Sequence, residues 1–549
     1  MAGLSVTGTN GSGVLSVVAA RDVNLQAAQI RNAGTDGVTQ LVAGNNLTLG
    51  AQTLTHSTDT TANDRNFQRS SETTHAVSSV QGAGNVVLAA GNDLTLTAAQ
   101  VGAGKGLTLH AGRDIVSQAA IDSSSSDRSS VTKSHSLAAS STDETVRGTQ
   151  LGAGSVVLAA GNDITLTAAQ VGVGKGLALQ AGHDIVSQAA IDSSTQDRSS
   201  VTKSHSLAAS STDETVRGTQ LGAGSNIVMQ AGHDLTLASR AVSSQSGGIA
   251  LAAGNDIQLL ATQEQHDAVV DQQTRKKSAL SSKTVTTHDE THDSLAVTTS
   301  LSGDTVHIAA GNDLLSQGTQ IVGTGDVVLA AGNNLTLETA QSTHSEAHDK
   351  KTVKTGLFGS GGIGFTIGKQ TVKTEADIAD VSHTGTTVGS LEGNVTMVAG
   401  NTLAITGSDV MALQGDITAK AKDIAITEVH DTSSSEQRTA FKQGGLSVTL
   451  SAAALNLAQA AMSSADAGKK AEGDTRMQAL AGASAAYSAY GAGQAASSVM
   501  NADTAKGALR RRPMSASQSL WAVARARARP SSAALPPRAP PCKPVVTST

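Results

Sequence analysis

Aromatic side chains are nearly missing from this chain: 4 Phe, 2 Tyr and 1 Trp among 549 residues, or 1%. Aromatics supply much of the buried area of ordinary cores, so a conventional globular core of this size would be hard to build. Cysteine occurs once, at Cys542. No intrachain disulfide is therefore available, which suits a cytosolic chain or one threaded through an oxidising periplasm. No proline precedes Pro513. No apolar run approaches the roughly 18 residues that cross a bilayer. Residues 1–7 (MAGLSVT) lack the basic-then-apolar order of a signal peptide. The net charge of −6, with both signs mixed along the repeats, gives no reason to expect nucleic-acid binding by that region.

What the chain does have is repetition. Residues 86–97 read VVLAAGNDLTLT, and the same phrase returns from residues 156, 249, 306 and 327, with looser copies from 41, 107, 177, 227 and 395. Each copy is two short alternating apolar runs around an AGND or AGNN break, the pattern of two strands that each bury one face. The breaks fall at Gly91, Asn92 and Asp93; Gly161, Asn162 and Asp163; Gly254, Asn255 and Asp256; Gly311, Asn312 and Asp313; and Gly332, Asn333 and Asn334. Gly91 is expected to take the positive φ of a tight corner that Asn92 and Asp93 close through side-chain bonds. The step between breaks is about 21 residues, from Gly91 to Gly112 and from Gly311 to Gly332, within the range of stacked repeats. One unit is too thin to bury its apolar face, but stacked units share a continuous core of Val, Ile, Leu and Ala. A rung of two or three strands is implied, lying about 4.8 Å above its neighbour, with Asn92, Asn162 and Asn333 at equivalent corners able to form amide ladders.

AGNDLTLTAAQ, AGNNLTLETAQ and the later GSGGIGFTIGK resemble the haemagglutinin repeats of filamentous haemagglutinins and of the large contact-dependent inhibition proteins of Gram-negative bacteria. The resemblance covers roughly residues 1–500 and recurs many times. It implies a right-handed parallel β-helix. It also implies export by two-partner secretion, through an outer-membrane transporter that uses an N-terminal domain not recognisable here. Such proteins are secreted and displayed at the bacterial surface, where they act in adhesion or toxin delivery towards a receptor on a host or neighbouring cell. Residues 15–25 already read as a degenerate rung, so a fragment of a longer exported protein is expected.

Polar excursions interrupt the rungs at residues 55–80, 122–147, 192–217, 263–299 and 342–385. They lengthen the rung step to roughly 50 residues or more and should protrude as hairpins. Residues 156–225 repeat 86–155 with seven substitutions, among them Arg113 to His183. A solenoid tolerates such a duplication, which favours a spacer over a catalytic domain.

Three constellations could carry chemistry. His288, Glu290 and His292, and His344, Glu346 and His348, both read H-x-E-x-H. A zincin helix needs Glu directly after the first His. On a strand the three would share a face, so a weak surface metal site competes with the preferred reading of solvated excursion residues. Residues 359–364 match G-x-G-x-x-G, with Lys369 beyond, yet the segment that follows alternates like a strand and lacks the strand-to-helix context of a phosphate loop. Ser134, His135 and Asp143 assemble into a nominal triad that the abundance of Ser and Asp explains by chance. No catalysis and no cofactor are assigned.

Three regions follow. Residues 1–436 form the β-helical repeat region. Residues 437–506 form an Ala-rich helical segment, which in the resembled family precedes the toxin-bearing end. Residues 507–549 form a Pro- and Arg-rich tail expected to be disordered. No Asp or Glu follows Asp503, and Arg510, Arg511, Arg512, Arg525, Arg527, Arg529 and Arg538 make the tail basic. A shifted reading frame near residues 506–512 and a natural basic arm for nucleic acid or an anionic membrane both account for it, the first preferred. The sequence therefore predicts an all-β solenoid, a filament segment holding a recognition or effector domain away from the cell. The alternative is a toxin-bearing protein that has lost its toxin domain and is inactive.

Overall fold

A computed structural model of the chain describes residues 2–8, 11–238, 241–359 and 364–449. These build a parallel β-helix of twelve rungs, each rung giving one strand to each of three parallel sheets. In the third rung the strands are Ser79–Gly82, Asn85–Ala90 and Leu94–Thr97; in the fourth, Gln100–Ala103, Gly106–Ala111 and Ile115–Gln118. No helix occurs among the described residues.

The alternation in the repeat becomes columns of like side chains. In the second sheet Leu88, Leu109, Leu158 and Leu179 stack in register and continue through Met229, Leu251, Ile308, Leu329 and Met397. The third sheet adds Leu94, Ile115, Ile164 and Ile185, and the first adds Val101, Leu151, Val171 and Leu221. All of them are buried in one continuous core that needs no aromatic ring. Because each rung sets aliphatic side chains over aliphatic neighbours, Val, Ile, Leu and Met fill the tube.

The excursions are hairpins that extend the third sheet outward after every second rung. Their arms are Leu47–Asn63 with Asn66–Val77, Ala120–Val131 with His135–Arg147, Ala190–Thr202 with His205–Arg217, Thr262–Lys277 with Ser281–Val297, and Ala340–Gly359 with Gly364–Thr384. Each hairpin pairs with the next, Asn66–Val77 with Ala120–Val131 and His135–Arg147 with Ala190–Thr202. The same holds further along, where Ser281–Val297 pairs with Ala340–Gly359. The result is one antiparallel lateral sheet along the solenoid, a pairing that reading each excursion by itself does not anticipate. Its spacing follows from geometry. Two hairpin arms occupy about 9.6 Å at the usual strand separation, the rise of two rungs, so a hairpin on alternate rungs keeps both ladders in step.

The final strand, Thr432–Thr449, pairs with Gly364–Thr384 and closes the described part of this sheet. It runs across residues 436 and 437, where the helical segment is expected to begin. The remainder of that segment and the tail lie outside the described residues.

Candidate functional site

The AGND corners lie one above another, and the requirement for glycine there is clearance rather than backbone twist. Gly91 does not have a positive φ. A Cβ on it would sit 2.1 Å from the Gly44 carbonyl oxygen of the rung below, and one on Gly161 would sit 2.1 Å from that of Gly112. Left-handed residues recur instead at the corner after the third strand in alternate rungs: Ala27 (φ 49°), Ala98 (50°), Ala168 (49°), Gly318 (61°) and Gly407 (53°). Buried hydroxyls support this bend. Thr219 Oγ1 accepts from the Ala169 N–H (3.3 Å) and lies 3.3 Å from the Leu166 carbonyl, spanning Ala168. Ser78 does the same around Ala27, and Thr386 around Gly318.

Beside the glycines runs a polar ladder, in which the amides mostly meet carboxylates rather than one another. Asn162 Nδ2 donates to Asp114 (3.0 Å), Asn255 to Asp234 (2.9 Å), Asn312 to Asp256 (2.9 Å) and Asn333 to Asp313 (3.0 Å). Asn92 is an exception and donates to Asn45. The same carboxylates accept the next rung's backbone N–H, as Asp313 does from Asn334 at 2.9 Å. Burial would raise the Asp234 pKa, but the N–H of Asp256 and the Asn255 amide outweigh it and hold the carboxyl below its usual range.

A second device sits at the root of the lateral sheet, where each returning arm peels away towards the first sheet. An acceptor on the next outgoing arm takes the freed N–H: Asp122 from His75 (2.8 Å), Asp192 from Val146 (2.7 Å), Glu264 from Val216 (2.8 Å), Ser342 from Ala296 (2.9 Å) and Asp431 from His383 (2.8 Å). Arg147 and Arg217 also bind Asp122 and Asp192. For Asp122, burial alone would raise the pKa, and the His75 and Arg147 contacts lower it overall. Sequence reading missed these clasps because donor and acceptor are 46–48 residues apart. The recurring AID in residues 120–122 and 190–192 is their only trace.

The two H-x-E-x-H runs lie on adjacent arms of the lateral sheet, on opposite faces. On one face His288 and His292 both bond Glu290 through Nε2 (3.3 and 2.6 Å), while their Nδ1 atoms lie 2.8 Å from Asp271 and Asp267. On the other, Glu346 lies between His344 and His348 (3.4 and 3.3 Å), and the outer partners are Asp293 and Asp289, the latter at 2.9 Å. Strand Ser281–Val297 thus supplies histidines to one chain and aspartates to the other, a consequence of side chains alternating across a strand. The aspartate bonds raise all four histidine pKa values, with the glutamates adding to this and desolvation opposing it. Glu290 is lowered, by His292 first and then His288. Each set is a cross-strand ion-pair chain, and its glutamate is held between two imidazoles.

The other motifs do not converge. The G-x-G-x-x-G run connects the two arms of the fifth hairpin, with residues 360–363 outside the described residues, so it lies between strands and not before a helix. His135 contacts Ser200 (3.0 Å), whereas Asp143 accepts from Ser194 (2.6 Å). Eight positions of extended strand, about 27 Å, separate these two members of the nominal triad. On the outer face of the first sheet a shallow trough is floored by Gly102, Gly152, Gly172 and Gly222 and edged by Gln100, Gln150, Gln170 and Gln220.

The profile of the hemagglutinin repeat matches residues 3–133, 129–212, 200–286 and 278–445, nearly all of the solenoid and its lateral sheet. The chain belongs to the hemagglutinin-repeat family. Among curated proteins, a tRNA nuclease CdiA of Escherichia coli (strain STEC_O31) is 33% identical over 432 residues, covering 77% of this chain and 13% of that protein. A 16S rRNA endonuclease CdiA of Enterobacter cloacae is 36% identical over 249 residues, 45% of this chain and 7% of that protein. A Toxin CdiA of Yersinia pestis is 34% identical over 201 residues, 37% and 6% respectively. The chain thus spans about an eighth or less of the length of these relatives. No solved structure matches. In hemagglutinin-repeat terms the 70 residues of 156–225 are one structural period, two rungs and one hairpin.

Proposed function

We propose that this chain is a rigid spacer within a filamentous exoprotein of the contact-dependent inhibition or adhesin type. It passes an outer-membrane two-partner-secretion transporter, is displayed at the bacterial surface, and carries a recognition or effector domain away from the cell towards a receptor. The carrying observation is that successive rungs repeat the same core and corner contacts and alternate rungs the same clasp, while the histidines and glutamates of the two H-x-E-x-H runs are engaged in ion-pair chains. Repetition of this kind sets distance and stiffness. The nuclease activities named for the relatives would belong to another part of such a parent. The corner residues from Gly91 to Asn334 act in this reading as structural joints, and the two H-x-E-x-H runs as cross-strand ties.

The test is to place residues 1–449 between a transporter-recognised secretion domain and an epitope reporter in a Gram-negative host. The reporter should become accessible to antibody and protease on intact cells, and more so than when it is joined directly to the secretion domain. Retention of the reporter inside the cell, or display indifferent to the segment, would overturn the reading.

A further inference from the structure

At the AG-x-D corner most rungs place a fixed hydrogen-bond donor before the acidic residue. Asn supplies an amide in Asn162 and Asn255, and Arg113 supplies a guanidinium that bridges Asp93 and Asp114. Two consecutive rungs depart from this with His183 and His233. Their rings are stacked with centroids 4.8 Å apart and planes within 3°. Both Nδ1 atoms face the same carboxylate: His183 Nδ1 is 3.1 Å from Asp184 Oδ2, and His233 Nδ1 is 3.5 Å from Asp184 Oδ1. Asp163 lies 3.4 Å from the first imidazole and Asp234 3.2 Å from the second. Three carboxylates and two imidazoles therefore alternate up one edge of the solenoid.

The Oδ1 atoms of Asp163 and Asp184 also accept the next rung's backbone N–H, at 3.0 and 2.9 Å, which fixes the carboxylates in place beside the imidazoles. Two imidazole nitrogens and a carboxylate held at one point are a donor set for a divalent cation. We propose that His183, Asp184 and His233 form a binding site for a divalent transition-metal ion of the Zn²⁺ or Ni²⁺ class. The two Nδ1 atoms and the Asp184 carboxylate are the ligands, with Asp163 or Asp234 completing the set. The three ligand atoms already lie within 4.8 Å of one another. Zinc–nitrogen bonds of about 2.0–2.1 Å at tetrahedral angles put two nitrogens about 3.4 Å apart, so binding draws the ligand atoms closer than they stand here. Both imidazoles are about half exposed, which leaves room for them to tilt inward. Mixed nitrogen and oxygen donors select transition metals over Ca²⁺ and Mg²⁺, which prefer all-oxygen shells. The site spans two rungs, so an occupying ion would pin one rung to the next.

Titration calorimetry of the full chain with Zn²⁺, with Ca²⁺ as the comparison, tests this. One site with a dissociation constant of micromolar order or tighter is expected, weakened at least tenfold in both His183→Asn and His233→Asn and unchanged in His288→Asn/His344→Asn. Asn is already the corner residue of neighbouring rungs, so these variants keep the fold, and circular dichroism verifies it. The proposal is overturned if Zn²⁺ does not bind at micromolar concentration, if binding survives in the His183→Asn/His233→Asn double variant, or if only the lateral-sheet variant loses it.

Discussion

The residues that fix this molecule act by fitting between copies of themselves. Gly161 cannot become alanine without driving a methyl group towards the Gly112 carbonyl, 2.1 Å away, whereas a Cβ on Gly172 would meet nothing within 4 Å. Gly161→Ala should therefore lower stability by about 1–3 kcal/mol, the usual cost of overpacking. Gly172→Ala should be neutral or slightly stabilising, and denaturant midpoints of the two variants provide the comparison. The histidine ties make a separate prediction about pH. The raised histidines stabilise the folded sheet fully below their ordinary value of 6.5, and that contribution disappears as pH climbs through their raised values. Glu290 is lowered from 4.5, so its contribution is present above that value and is lost as pH falls through its folded value. Arms Ser281–Val297 and Ala340–Gly359 should thus be best protected between pH 4.5 and 6.5. Hydrogen-exchange mass spectrometry, corrected for intrinsic rates, should show more opening at pH 8 than at pH 6. The difference should vanish in a His288→Asn/His292→Asn/His344→Asn/His348→Asn variant. Sequence alone identified the corner glycines but attributed them to φ, because clearance between rungs involves residues from different copies and is invisible within one.

At the scale of elements, the rungs were legible because a buried alternation such as Val86, Leu88, Leu94 and Leu96 is written directly in residue type. The lateral sheet was not. Its arms carry Ser, Thr, Asp and Lys among scattered apolar residues such as Ile121, Val201 and Leu295, so no sustained apolar pattern marks a register. Register is imposed from outside, by the height at which each arm leaves the solenoid. Removing residues 156–225, two rungs and one hairpin, should therefore leave a folded, shorter protein in which His135–Arg147 takes the partner that His205–Arg217 has now, Thr262–Lys277. Removing only residues 156–176, a single rung, should bring two hairpins within one rung's rise, about 4.8 Å, where the two arms of one hairpin need twice that. Limited proteolysis should then cut the hairpin arms of the second variant while sparing the first.

Over the whole molecule, neighbour-only contacts make stability a sum of local terms, and the lateral sheet couples rungs in pairs. Pulled from its ends, the chain should lengthen in steps of one two-rung period, such as the 70 residues from Leu94 to Ile164, about 240 Å of contour at roughly 3.5 Å per residue, with longer steps where the later hairpins are longer. Increments of single rungs, near 75 Å, would mean that the hairpins add no coupling. The one-sided placement of the hairpins has a mechanical consequence too. A bare tube of rungs resists flexure almost equally in every direction, but a web fixed along one side makes its section resemble a T-girder. Such a beam yields readily when bowed out of the web's plane and stiffly within it, so a thread assembled from these segments would sway like a steel tape, in one direction fixed by the protein itself.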